Sequence, residues 1–179
     1  MLINLEKKPE IIAKNVARCR EKGITLPTFA QMKNPDLIPQ SVKDSLKDVG
    51  LWDVNPLNLY RINWHNEPVE KGGQFGGVNF IEIPRKITGT KAHIYALAGK
   101  FFPCGVHKVV ATYACLAPAL VSGNFDAVEQ QAVWPSTGNY CRGGAYNSAL
   151  LGCKSIAILP EDMSQERFNW QIGRASCRE

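Results

Sequence analysis

Two short runs in this chain of 179 residues carry side chains able to do covalent chemistry together. One is Phe102-Pro103-Cys104-Gly105-Val106-His107-Lys108-Val109, and the other is Ser136-Thr137-Gly138-Asn139 at the end of an apolar stretch. A lysine ammonium is a poor nucleophile. To condense with an aldehyde, its amine must sit on a fixed element, partly desolvated, where it can shed a proton. Lys108 is placed for that. It opens a helical stretch after a Pro-Cys-Gly turn, and Val109, Val110, Ala111 and Ala114 would wall it with apolar surface. The competing reading is an ordinary solvated lysine in a first helical turn, where its charge opposes the helix dipole.

Ser136 to Asn139 supplies what the lysine lacks. Two hydroxyls, a glycine that admits close backbone approach, an amide side chain and the start of the next helix make an anion site suited to a carboxylate or a phosphate. The competing reading is a good strand-to-helix turn with a capping residue. Together the two runs would converge on one ligand bearing both an aldehyde and an anionic group.

The elements that must hold them follow from periodicity. Helices are expected over Glu10 to Arg20, with Ile11, Ile12 and Val16 on one face, and over Pro39 to Val49; a short apolar run covers Leu57 to Ile62. Lys71-Gly72-Gly73-Gln74-Phe75-Gly76-Gly77 lacks the Gly-Lys-Ser/Thr ending of a phosphate-cradling loop and reads as structural. From Thr88 onward strand and helix alternate. Strands are expected over Ala92–Leu97, Gln131–Trp134 and Ser155–Leu159, with helices over Lys108–Leu120 and Tyr140–Leu151. A last helix should begin near Asp162. Such alternation implies an α/β fold with a parallel sheet, helices on both faces and three layers, and ligands at the carboxyl ends of the strands. Tyr113, Tyr140, Tyr146 and Arg142 fall near this region and read as packing or surface.

Length and composition set the frame. The chain is long enough for one core and short for two. Its 45% hydrophobic and 21% charged residues are ordinary for a globular protein. The net charge of +5 is spread rather than gathered into a stripe, which gives no footprint for nucleic acid. No stretch has the length to span a bilayer and the N-terminus carries no apolar signal core, so a cytoplasmic location with no membrane partner is expected. Six cysteines without metal-ligand spacing read as free thiols, and no metal site is expected.

Residues 1–65 read as a helical and loop-rich lead-in, and residues 66–171 as the α/β part. The segment 172–179, Ile-Gly-Arg-Ala-Ser-Cys-Arg-Glu, resembles the translation of a common sequencing adapter. It is set apart from the fold on that ground, and the chain then reads as the front of a longer protein.

Gly105-Val106-His107-Lys108, followed 31 residues on by Ser136-Thr137-Gly138-Asn139, resembles the fold-type II pyridoxal-phosphate enzymes. These include cysteine synthase, threonine synthase, threonine dehydratase and the tryptophan synthase β chain, whose His-Lys pair the first motif is most similar to. Ile156-Ala157-Ile158-Leu159-Pro160-Glu161-Asp162-Met163-Ser164 is similar to the family's hydrophobic strand ending in Met-Pro-x-x-Met-Ser. The resemblance covers about residues 80 to 170. It implies pyridoxal 5'-phosphate as cofactor, Lys108 as Schiff-base lysine and carrier of the α-proton, and His107 near the cofactor phosphate. Asn139 would meet the pyridoxal phenolic oxygen, while Ser136, Thr137, Gly138 and Asn139 form the substrate loop.

The activity so implied is a lyase or synthase acting on a small amino acid by β-elimination or β-replacement, with racemase and thiolase β-subunit chemistry as neighbours. A homodimer or a partner subunit is implied as well. The chain departs from the family in having Pro103-Cys104-Gly105 where Pro-Thr-Gly is usual, and in lacking a glycine-rich phosphate cup after Asn139. A reading of another class keeps the α/β module as a catalytically silent binder of an anion or a partner.

Overall fold

The computed structural model describes residues 4, 6–68, 71–136, 138–162, 164–171 and 176–178. It has a mixed α/β fold with two small sheets. Helix α1 (Pro9–Glu21) starts on a proline, which loses no bond in a first turn, and carries Arg18 and Arg20 in its last turn, where the dipole favours them. Its buried face is not the expected apolar stripe. Val16 is exposed, Ile11 and Ile12 are half-buried, and the deepest side chain is Asn15. That amide is tolerated because it is satisfied: Nδ2 donates to the Leu120 and Phe125 carbonyls at 2.9 and 2.8 Å, and Oδ1 accepts from Ala127 N–H at 3.0 Å.

Helix α2 (Phe29–Lys33) is closed by a reciprocal Thr28–Gln31 capping box. Helix α3 (Gln40–Ser45) runs into a 3₁₀ turn at Leu46–Asp48, which together fill the span expected for one helix. The apolar run Leu57 to Ile62 is a 3₁₀ turn, Pro56–Arg61, opened by Asn55 accepting from Leu57 N–H at 2.9 Å. Its last residue, Arg61, is buried. Arg61 donates to the Leu46 and Gly73 carbonyls at 2.7 and 3.2 Å, to Asn58 Oδ1 at 3.2 Å and to the Val49 carbonyl. The glycine loop is therefore held to the lead-in by this guanidinium at Gly73 and by His65 at Gly76, whose N–H donates to His65 O at 2.8 Å.

The strand expected at Ala92–Leu97 shortens to β2 (Ile94–Leu97), and it does not join the parallel sheet. It pairs antiparallel with β1 (Phe80–Ile83) across the helical turn α4 (Arg85–Thr88), which ends on Gly89 at φ 66°. A partner eleven residues back closes with little loss of chain entropy, and the edge-on contact of Phe80 with Tyr95 at 5.2 Å and the Glu82–His93 pair at 2.7 Å fasten the ladder. Phe80, Ile81, Ile94, Tyr95 and Leu97 all remain exposed.

After the hairpin come α5 (Lys108–Ser122), β3 (Gln131–Pro135), α6 (Asn139–Leu150), β4 (Lys154–Ile158), α7 (Gln165–Gln171) and β5 (Ser176–Arg178). The strands lie parallel in the order β3-β4-β5. Segment 172–179, set apart on its sequence, thus supplies the third strand through its residues 176–178. Asp162 lies before the last helix, which starts at Gln165, and Met163 is outside the described residues.

Helices on both faces of this sheet are not what the described residues show. Ala132, Trp134, Ser155 and Ala157 are buried on the side that α6 covers, while Val133 and Ile158 are 50% and 46% exposed on the other. The layers are the sheet, then α6, then α5 packed on α6, with α1 on α5. The main core runs from Trp134 and Ala157 through Tyr146, Leu150, Val109 and Leu116 to Phe102 and Leu59, and a second, smaller cluster joins Ile38, Leu46 and Tyr60 in the lead-in.

Candidate functional site

Helix α5 begins at the expected lysine, and the turn before it is unusual. Cys104 is fully buried with φ 52°, ψ 15°, and it is the single non-glycine residue with positive φ among those described. Gly105 follows at φ 72°. Two successive left-handed residues reverse the chain sharply, which costs a glycine little and a cysteine of order 1 kcal/mol or more. The turn is closed by Gly105 N–H donating to Phe102 O at 2.9 Å and held from outside by Cys104 N–H donating to the Leu51 carbonyl at 2.8 Å. The Trp52 ring lies so close that a Cβ on Gly105 would stand 3.0 Å from Cζ2.

His107 and Lys108 are both exposed. The His107 ring stacks on Trp64 at 6.3 Å between centroids and 24° between planes, and Trp64 meets Phe102 edge-on at 4.7 Å. Helix α5 thus presents its lysine at the rim of the core, with the ammonium toward water and Val109 wholly buried one residue on.

The second motif lies between β3 and α6, and the N-cap of α6 is Gly138, with no side-chain cap. Ser136 N–H donates to Ile158 O at 3.2 Å, tying the carboxyl ends of β3 and β4, and Ser136 Oγ accepts from Gly138 N–H at 3.2 Å. Gly138 has extended φ, and α6 starts at Asn139, which is exposed. Ser136 and Gly138 are half-buried, and Thr137 lies outside the described residues. The first turn of an α-helix offers backbone N–H groups without intrahelical partners, so this loop faces an electropositive helix end.

What joins the two motifs is a glycine. A Cβ on Gly143 would stand 2.9 Å from Lys108 C and Val109 N, so α6 crosses the opening turn of α5 at van der Waals limit, one turn beyond Asn139. Asn147, on the next turn, donates to Val109 O and Thr112 Oγ1, both at 2.7 Å, and locks the crossing. On the opposite side of α6 a Cβ on Gly144 would overlap the Trp134 ring. Consecutive glycines therefore let α6 sit tightly against α5 on one side and β3 on the other. The crossing brings the Lys108 backbone against Gly143, one helical turn beyond Asn139, and among the described residues no hydrogen bond links Lys108 Nζ to Ser136, Gly138 or Asn139.

One expectation about the site changes. The parallel-sheet rule places only the second motif, at the end of β3; the lysine loop leaves the antiparallel hairpin instead and reaches the crossing through helix packing.

Residues that the sequence left as packing, or did not single out, complete the surroundings. Tyr146 is fully buried and its hydroxyl donates to Asp53 O at 2.6 Å while accepting from Asn58 Nδ2 at 3.1 Å; burial, then the nearby Cys104 thiol, push its phenol above the usual range. Arg142 lies over two indoles, 4.7 Å from Trp52 and 4.2 Å from Trp170. Segment 50–53 of the lead-in therefore bridges the lysine loop and α6. Tyr146→Phe is expected to cost about 1–2 kcal/mol, since Asn58 and the Asp53 carbonyl lose a buried partner, and chemical denaturation would show it as a lowered midpoint with unchanged slope.

Burial also pushes the Cys153 thiol up to about 12, and no disulfide joins Cys19, Cys104, Cys115, Cys141 and Cys153. Among the described residues no helix is long and apolar enough to cross a membrane. Neither a scan against protein-family models nor a search of curated proteins finds a match for this chain.

Proposed function

We propose that this chain carries the cofactor-anchoring half of a fold-type II pyridoxal-phosphate enzyme, a lyase or synthase acting on a small amino acid by β-elimination or β-replacement. The observation that supports it most is the Gly143 contact, which sets the turn bearing Lys108 against the helix that the Ser136–Asn139 loop opens. An aldehyde needs an amine, and an anion needs N–H donors and hydroxyls; this crossing offers both within two helix starts. These are the kinds of group that pyridoxal 5'-phosphate needs, with Lys108 itself exposed.

When bound, that cofactor supplies the electron sink that renders the α-proton of an amino acid acidic. The residues of this chain do the rest. Lys108 Nζ would hold the aldehyde and would take and return the α-proton. Asn139 would donate to the phenolic oxygen, and Ser136, Thr137, Gly138 and Asn139 would hold the substrate carboxylate. His107, stacked on Trp64, would stand by the phosphate. A glycine-rich phosphate cup and a partner for the pyridine nitrogen are not among these motifs. A cytoplasmic enzyme assembled as a homodimer or with a partner subunit goes with this reading.

The test is spectroscopic. On adding pyridoxal 5'-phosphate the protein should develop a visible absorption band that borohydride bleaches, leaving the adduct on Lys108. Lys108→Ala is expected to remove the band altogether, and a band that persists in that variant overturns the assignment.

A second reading, a silent α/β module that binds an anion or a protein partner, is favoured by one observation: Val133 and Ile158 lie exposed on a face that parallel sheets normally bury. It predicts phosphate binding that is indifferent to Lys108→Ala.

A further inference from the structure

We infer that Trp52, from the lead-in, is a positioning residue for Lys108; the inference rests on the cofactor reading above. Segment 50–53 is fixed at both ends. Asn58 Nδ2 donates to the Gly50 and Asp53 carbonyls at 2.9 and 3.0 Å, and Tyr146 on α6 donates to Asp53 O. Between these anchors Leu51 O accepts from Cys104 N–H, and the Trp52 ring covers Gly105. The segment is a strap whose two middle residues grip the two left-handed residues of the lysine loop, one by a hydrogen bond and one by ring contact.

The grip has a direction. Left to itself, Cys104 would relax toward right-handed or extended backbone, where an L-residue is more stable. That rotation, three residues before His107 and four before Lys108, would swing the start of α5 away from the Gly143 crossing. Trp52 opposes it by occupying the space above Gly105, and it is itself held by the Arg142 guanidinium on its face and by Trp170 edge-on at 6.4 Å. The ring is 51% exposed, so its burial contributes modestly to global stability while its position decides that of the loop.

The experiment compares lysines within one chain. The protein, treated with pyridoxal 5'-phosphate and then borohydride, is mapped by peptide mass for the phosphopyridoxyl group. This adduct arises by condensation of the aldehyde with a lysine amine, loss of one water, and hydride addition from borohydride. Wild type should label Lys108 at least tenfold faster than the exposed hairpin lysines Lys86 and Lys91. Trp52→Ala should cut that ratio about tenfold with labelling of Lys86 and Lys91 unchanged, and amide exchange at Cys104 should speed up in the same variant. Trp52→Phe, which keeps a ring over Gly105, should restore most of the ratio. A wild-type preference for Lys108 that survives Trp52→Ala overturns the positioning role and leaves the cofactor reading intact. No preference in wild type removes the cofactor reading and the positioning role together.

Discussion

Gly144→Ala is expected to lower the melting temperature by about 10 °C, the equivalent of about 3 kcal/mol for a chain of this size. On an exposed helix the same change would stabilise by up to about 1 kcal/mol, because alanine loses less backbone freedom on folding. The sign here is set by packing. The added methyl would overlap the Trp134 indole, and that ring is not free to turn: Nε1 donates to Ser148 Oγ at 3.0 Å and the face meets Tyr140 edge-on at 5.7 Å. Thermal unfolding followed by tryptophan fluorescence would decide it, an unchanged midpoint meaning that α6 has room over β3. Gly143→Ala makes a useful contrast. Its methyl meets backbone atoms of Lys108 and Val109, which cannot turn aside as a side chain can, so the two helices must part and Lys108 is displaced directly.

Arg61→Met should be as severe, costing about 4 kcal/mol. The guanidinium is buried at 4% exposure, burial pulls its pKa down, and its partners are the Leu46, Val49 and Gly73 carbonyls and the Asn58 amide. Methionine fills comparable volume but donates nothing, so buried carbonyls in the lead-in and the glycine loop lose their partner at once. Urea denaturation would report the loss, and because Asn58 also holds segment 50–53, the variant should expose Trp52 to quenchers well below the global transition. A midpoint within about 1 kcal/mol of wild type would mean that water replaces the guanidinium without difficulty.

How these elements could be read in advance depends on where their determinants lie. Helix α5, helix α6 and strands β3 and β4 were legible to within a residue or two, since apolar periodicity and the turns at Pro103–Gly105 and Ser136–Asn139 are local signals. The pairing of Ile94–Leu97 was not. Its apolar residues suit a buried parallel strand equally well, and only the geometry of the Arg85–Gly89 turn returns it to Phe80–Ile83. The α1 face was misjudged at Asn15 because its three partners lie more than a hundred residues on. Within the candidate site, Lys108 and Ser136–Asn139 carry motif signals. Trp52 carries none, since its meaning comes from a contact with Gly105, far along the chain. The glycine pair Gly143-Gly144 was a signal that could have been used, as two helical glycines in succession mark close approach on two sides.

The hairpin's exposure on both faces also divides the chain into parts of unequal persistence. A two-stranded ladder without a covering layer is marginal in water, so β1–β2 should open and close many times for each global unfolding, fraying from the Arg85–Gly89 tip. The fraying has a stop. Ala98 N–H donates to Asn79 O at 2.9 Å, and beside that rung the His107 side chain lies against Gly99. Backbone amides of residues 80–97 therefore belong to a fast-exchanging class and those of α5 and α6 to a slow one, with the lysine loop on the slow side of the boundary.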